Sequence, residues 1–172
     1  MAAFSGGGVD ADLTVVSGNP INFAFSGNVA DVNNATPGPG FQYVGNVPDA
    51  TFELGLSGPV SNLVFTIGDM EGSLETTVIR AYDENDNLLP SSALSFLISA
   101  DAVDLAILST NTVGTTVTAI SNIDFDDDAG TVQVSIDGIV SRLEFDVSAA
   151  PGGVIGVTFG NYSYDVLSLI HI

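Results

Sequence analysis

Three aspartates at every second position form the motif with the clearest chemistry in this chain. Asp124, Asp126 and Asp128 lie in the run D-F-D-D-D. On an extended segment this spacing places the three carboxylates on one side and Phe125 on the other. Calcium takes about six to eight oxygen ligands in proteins. The pattern therefore predicts part of a calcium site, and the alternative is a solvated acidic turn.

Two shorter acidic groups are further candidates for metal ligands. Asp69 and Glu71 follow an apolar run that ends in Ile67-Gly68, which suggests a metal-binding corner at a strand end or a solvated loop. Asp83 begins the run D-E-N-D-N, which has oxygen-bearing side chains at alternate positions. Asn and Asp are also typical hairpin-turn residues. A plain turn is the alternative for Asp83.

These acids predict calcium as a structural cofactor, which thermal melting can test. Calcium should raise the melting temperature and a chelator should lower it, because a ligand that binds only the native state stabilises it by mass action. A melting temperature that calcium does not change at low ionic strength would contradict the prediction of structural calcium.

Aromatic residues are the candidates for ligand binding, since sugar-binding surfaces often stack a pyranose on an exposed ring. The chain has no Trp. Phe41 and Tyr43 follow the loop Pro37-Gly-Pro-Gly40, and Tyr162 lies in an alternating run near the end. We predict these three as ligand-binding residues, with packing in the core or on the sheet surface as the alternative.

The composition argues against most catalytic machinery and against nucleic-acid binding. There is no cysteine, and the single histidine, His171, is two residues from the end. The motifs G-x-S-x-G, H-E-x-x-H and the P-loop do not occur. Two arginines face 21 acids, for a formal net charge of −19, which repels phosphate backbones and anionic membranes. We therefore predict a non-enzymatic protein with no nucleic-acid partner.

The elements that must position these residues are short strands. Val, Ile, Thr and Phe recur in runs bounded by Gly, Asn, Asp and Pro, and helical periodicity is nearly absent. About twelve strands with frequent turns predict an all-β fold, an antiparallel two-sheet sandwich of the jelly-roll type. Residues 51–67 align without gaps to residues 131–147. We interpret the two segments as similar hairpins, each turning at a glycine.

Length and apolar content indicate one domain. The sequence is 172 residues long and 45% hydrophobic, which is enough to bury a core. We predict a single domain over residues 1–166 with a flexible lead-in over 1–9, and no apolar run is long enough for a membrane helix. Residues 167–172 match one reading frame of a sequencing adapter. We hypothesise a non-native tail there, the alternative being an ordinary apolar final strand.

Four segments resemble the jelly-roll modules of large bacterial surface and secreted proteins, which include lectin-like adhesin domains and carbohydrate-binding-like domains. The resemblance is carried by Gly58–Asp69, Val78–Leu89, Gly130–Phe145 and Ile155–Tyr164. It implies secretion, frequent structural calcium, and binding of glycans or host proteins in some members.

Together these features predict a non-enzymatic extracellular or cell-surface module that functions in binding or adhesion and is stabilised by calcium. Its partner would be a glycan or a surface protein, without membrane insertion. One alternative is a carbohydrate-binding module of a larger enzyme. Another is a self-assembling filament or surface-layer subunit, in which exposed strand edges of different copies pair with one another.

Overall fold

The computed structural model describes residues 2–6, 9–18, 20–29, 38–45, 49–68, 76–98, 105–111, 114–119, 132–148 and 155–167. These ranges contain eleven strands and one short 3-10 helix, Ser91–Ala93. The strands are β1 (Ala2–Gly6), β2 (Val9–Ser17), β3 (Pro20–Val29), β4 (Gly38–Gly45), β5 (Asp49–Gly68), β6 (Thr76–Tyr82), β7 (Leu94–Ile98), β8 (Leu105–Asn111), β9 (Gly114–Ala119), β10 (Val132–Ser148) and β11 (Ile155–Val166).

Two long strands, β5 and β10, form the centre of the fold. They pair antiparallel from Val132 opposite Ile67 to Ser148 opposite Asp49, with irregular register near the middle. Each half of this ribbon has different neighbours. The first half of β5 pairs with β2, and the second half of β10 pairs with β6. At the other end, β5 pairs with β11 and β10 pairs with β7.

The pairing therefore divides the strands into two layers that share the β5–β10 ribbon. The first layer runs β1-β2-β5-β10-β6-β9-β8, and the second runs β3-β4-β11-β5-β10-β7. All of these pairs are antiparallel. Several of them join strands that are far apart in sequence, as in a jelly roll.

Contacts between the two halves of the ribbon show that the layers pack face to face. Phe65 lies in the second-layer half of β5, and Phe145 lies in the first-layer half of β10. Their rings meet edge to face with centroids 5.6 Å apart, and both side chains are fully buried. The Tyr164 hydroxyl of β11 donates to the Val9 carbonyl of β2 over 3.1 Å, which joins the layers again. The predicted antiparallel β-sandwich is confirmed.

The two aligned segments differ from their predicted form. The segments 51–67 and 131–147 do not form two hairpins, because the chain passes through Gly58 and Gly138 without reversing direction. Each segment instead lies within one continuous bent strand, β5 or β10, that crosses between the layers. Within the predicted lead-in, β1 (Ala2–Gly6) pairs with β2 along five residue pairs, from Ala2 opposite Leu13 to Gly6 opposite Val9. Within the described ranges, no helix is long and apolar enough to cross a membrane.

The bend in β10 makes a prediction about its glycine. Gly138 has φ +126°, a conformation that side chains rarely adopt, and a Cβ there would lie 3.7 Å from Leu89 Cδ1. Gly138→Ala should therefore lower the free energy of unfolding by about 1–3 kcal/mol through backbone strain. Denaturant unfolding measures the loss.

Gly58 supplies the matched control, because it occupies the aligned position in β5. A Cβ at Gly58 would meet no atom within 4 Å, and its φ is not in the left-handed region. Gly58→Ala should change stability by less than about 0.5 kcal/mol, as at other unconstrained surface positions. Equal losses in the two variants would contradict the assignment of strain to Gly138.

Candidate functional site

Five of the six predicted metal ligands lie outside the described residues: Asp69, Glu71, Asp124, Asp126 and Asp128. Calcium binding by these acids stays a prediction. Across the part of the chain that the structure describes, no group of three or more acidic or histidine side chains is arranged to hold a metal ion.

Asp83, the sixth predicted ligand, lies in a hairpin turn between β6 and Leu88. Its Oδ1 accepts hydrogen bonds from the backbone amides of Asn85 and Asn87 over 2.9 and 2.8 Å. Its Oδ2 accepts from the Asn87 side-chain amide over 3.0 Å. The Asn87 side chain, and then the backbone amides, hold the Asp83 pKa below its usual range. The Asp83 carboxylate therefore organises the turn, and metal binding by Asp83 stays a prediction.

The three predicted ligand-binding aromatics lie on two strands, β4 and β11. Phe41 and Tyr43 lie in β4, where their backbone positions pair with Phe159 and Val157 of β11. The Tyr162 ring stacks on Phe65 with centroids 5.8 Å apart and an interplanar angle of 23°. Burial raises the pKa of the Tyr162 hydroxyl. Tyr162 thus packs against the core, as the alternative interpretation held, and its role in ligand binding stays a prediction.

The outward surface of the first layer contains both basic residues of the chain. Alternation along the strands buries one set of side chains and turns the other outward, as in the buried–exposed pattern of β2. We call this outward surface of β2, β5, β10 and β6 the polar face. Its residues are Asp10, Asp12, Thr51, Glu53, Gly55, Arg80, Tyr82, Arg142, Glu144 and Asp146.

Arg80 lies on β6, where it bridges two acids of β10. Its Nη1 donates to Glu144 Oε1 over 2.8 Å and to Asp146 Oδ2 over 2.5 Å. Thr51 on the far side of β10 donates its hydroxyl to Asp146 Oδ1 over 2.8 Å. Burial lowers the pKa of Arg80, but the hydrogen bonds and charges of Asp146 and Glu144 outweigh it, so that the pKa is raised. Arg80 is therefore cationic and fixed in place.

Arg142 lies on β10 and stacks on an aromatic ring. Its guanidinium carbon is 3.7 Å from the centre of the Tyr82 ring, a cation–π geometry. Nη1 donates to Glu53 Oε2 over 3.2 Å, and Nη2 donates to Asp86 Oδ1 over 2.5 Å. Glu144 Oε2 lies 3.6 Å from Nη1. The aromatic ring and three carboxylates hold this guanidinium in one orientation.

A gap in the polar face lies beside Arg142. The strand register places Gly55 directly between Asp12 of β2 and Arg142 of β10, and Arg142 is paired on its other side with Tyr82. Gly55 contributes no side chain to this row, and the nearest atom to a Cβ placed there would be the Asp12 carbonyl oxygen at 4.0 Å. The gap therefore leaves space on the outward surface beside the Arg142 side chain, which the Tyr82 ring and its carboxylate partners hold in place.

This surface can make the contacts that a polyhydroxylated ligand requires. A sugar hydroxyl both donates and accepts hydrogen bonds, and the polar face presents carboxylate acceptors beside guanidinium donors. The Glu53 side chain is 39% exposed and that of Asp86 is 75% exposed, so both have oxygens accessible from solvent. Tyr82 adds an aromatic ring at the edge of the same row.

Sequence reasoning missed the polar face. Arg80 and Arg142 are 62 positions apart, as their numbers show, and only the pairing of β6 with β10 brings them together. One available signal was the alternating run Arg142-Leu-Glu-Phe-Asp146. In a strand this run places one arginine and two acids on the same side.

Comparisons with known proteins give no family for the chain: no family model matches it, and no curated protein matches it significantly. The solved structures that match this chain include three of 12–13% identity. The enzymatically active domain of tailspike protein 4 from bacteriophage CBA120 is 13% identical with a TM-score of 0.42, and the match covers 91% of this chain and 19% of the tailspike chain.

The matches to two other structures cover a larger share of the matched chain. CpGH89CBM32-6 from Clostridium perfringens is 13% identical with a TM-score of 0.41, and the match covers 91% of this chain and 93% of that one. A carbohydrate-binding module of the β-sandwich superfamily is 12% identical with a TM-score of 0.34, and the match covers 92% of this chain and 57% of that one.

Proposed function

We propose that this domain is a non-enzymatic carbohydrate-binding module whose glycan lies on the polar face. The observation that carries the proposal is the fixed arrangement around Arg142, which is stacked on Tyr82, bonded to Glu53 and Asp86, and adjacent to the gap at Gly55. Few precisely oriented polar groups beside an aromatic ring are the means by which binding sites fix a small polar ligand.

The arginines organise the site more than they serve as free charges. Each guanidinium donates hydrogen bonds to two carboxylates, which sets the direction of each acid and gives its remaining oxygen a defined position. Preorganised groups bind with less loss of conformational freedom, which matters for a weakly binding, strongly hydrated ligand such as a sugar. The sheet supplies this rigidity, since Arg142, Tyr82 and Glu53 lie on strands. Asp86 lies in the turn that follows β6.

The proposed module is non-enzymatic, as the sequence predicts, but its ligand differs from the one that the sequence favours. Carbohydrate binding, first an alternative, comes ahead of adhesion to a surface protein. An extracellular or cell-surface location agrees with the proposal, because polysaccharides and surface glycans are met there. Calcium would then have a structural role at acids outside the polar face.

Glycan-array binding followed by calorimetry tests the proposal through two variants of the polar face. Tyr82→Ala removes the ring under the guanidinium, and Arg142→Met keeps the aliphatic stem but removes the donors. Each should weaken binding of an array-positive glycan about tenfold or more, the effect of losing a hydrogen bond to a charged group. Circular dichroism checks that each variant remains folded.

Two further variants decide between the polar face and the aromatic positions predicted from the sequence. Tyr43→Ala and Tyr162→Ala should leave glycan affinity within about twofold if the polar face is the site. Tyr164→Phe, which removes a hydroxyl that bonds the Val9 carbonyl beneath the sheet, is a control for loss of a tyrosine contact elsewhere. An array with no positive glycan, or binding that depends on Tyr43 instead of Tyr82, would contradict the proposed site.

A further inference from the structure

We infer that the polar face selects uncharged glycans and rejects glycans that carry carboxylate or sulfate groups. The inference rests on the proposed function, because it names the class of sugar that the same face would hold. Arginine is the side chain best suited to bind an anionic group, since its planar fork donates two parallel hydrogen bonds. Whether the face accepts an anionic sugar therefore depends on how its two arginines are already engaged.

Arg80 is not available to an anionic ligand. Two carboxylates occupy its Nη1, at 2.8 Å and 2.5 Å, and only 16% of its side chain is exposed. An incoming carboxylate would have to approach a guanidinium that lies between Glu144 and Asp146. Both acids would repel it at short range.

Arg142 is also paired with carboxylates, although it lies beside the gap at Gly55. Glu53 and Asp86 accept its hydrogen bonds, Glu144 lies 3.6 Å away, and the Tyr82 ring covers one side of the guanidinium. The two arginines thus meet four acids, which leaves this group with two excess negative charges. The chain as a whole has a formal net charge of −19, so the wider field has the same sign.

A neutral sugar meets none of this repulsion. Its hydroxyls can donate to the exposed side chains of Glu53 and Asp86. The replacement of hydroxymethyl by carboxylate at a single carbon, as in a uronic acid, should therefore reverse the outcome without changing the ring.

Matched pairs of oligosaccharides test the inference directly. Galacto-oligosaccharides are compared with galacturonate oligomers, and gluco-oligosaccharides with glucuronate oligomers, by array and calorimetry at low ionic strength. The wild-type chain should bind a neutral member and not its uronate. Added salt should narrow the difference, because screening weakens repulsion between exposed charges.

A double variant should shift this preference. Glu53→Gln with Asp86→Asn removes two of the three carboxylates that lie near Arg142 and leaves that of Glu144. Asparagine tolerates the positive φ of 61° at position 86. The ratio of uronate to neutral affinity should rise roughly fivefold or more, the size expected for two exposed ion pairs. The control, Asp137→Asn with Asp165→Asn, removes two exposed acids outside the polar face and should leave the ratio unchanged.

The outcomes separate the inference from the proposed function. Uronate binding equal to or tighter than neutral binding in the wild-type chain would overturn the inference and leave glycan binding intact. A ratio that moves equally in the control variant would overturn it as well, by showing that net charge alone decides. Binding of neither member of either pair would overturn the proposed function and the inference together.

Discussion

Replacing Phe65 with alanine is expected to lower the free energy of unfolding by about 3–5 kcal/mol, the range for a buried phenylalanine. The side chain is fully buried, and it contacts aromatic rings on two sides, Phe145 edge to face and Tyr162 stacked. Its loss would leave a cavity between the two layers. Chemical denaturation followed by circular dichroism measures the change, and Phe65→Leu provides a milder substitution should the alanine variant fail to fold.

A double-mutant cycle with Phe145 tests whether the layers meet where the structure places them. Edge-to-face pairs contribute about 0.5–1.5 kcal/mol beyond their buried area, so the two substitutions should be non-additive by that amount. Leu97, which is 50% exposed on β7, is the control, and Leu97→Ala should cost less than about 0.5 kcal/mol. Additive losses at Phe65 and Phe145 would contradict the packing of the two layers.

The fold class follows from the sequence because strand periodicity is a local property. The alternation in residues 52–56 and 143–147 predicted which side chains face inward, and Phe52, Leu54, Leu143, Phe145 and Val147 are buried. The turn at residues 83–87 was predictable for the same reason. The Asp83 carboxylate accepts hydrogen bonds from backbone amides and from the Asn87 side chain, all within four residues.

The polar face was not predictable because it depends on register between distant strands. Glu144 faces Glu53 across one side of β10 and Arg80 across the other. These partners are separated by 91 and 64 positions, as their numbers show, and a shift of one residue would turn every side chain to the other side of the sheet. The prediction of turns at two glycines was wrong for a different reason, since glycine occurs both in turns and within bent strands. Gly58 and Gly138 suggested chain reversal, whereas both strands continue through them.

Replacing Arg80 with methionine is expected to lower the free energy of unfolding by about 1–3 kcal/mol at neutral pH, the range for leaving a charged partner group unsatisfied. Methionine keeps much of the aliphatic stem but removes the charge between Glu144 and Asp146. In the wild-type chain Glu144 and Asp146 share the Arg80 cation. In the variant these two carboxylates would lie side by side without a cation between them. Because the Arg80 pKa is raised, its stabilising contribution is fully present below its unfolded pKa and is lost only as pH rises through the higher folded value.

The Arg80→Met loss should come mainly from charge, because the substitution leaves Glu144 and Asp146 without the cation between them. High salt should reduce the loss, since part of the penalty is repulsion between half-exposed charges. A companion variant, Arg80→Met with Glu144→Gln, removes one of the stranded charges and should recover part of the loss. A deficit that high salt leaves unchanged, and that the companion variant does not reduce, would show that Arg80 contributes through packing of its stem instead of through its charge.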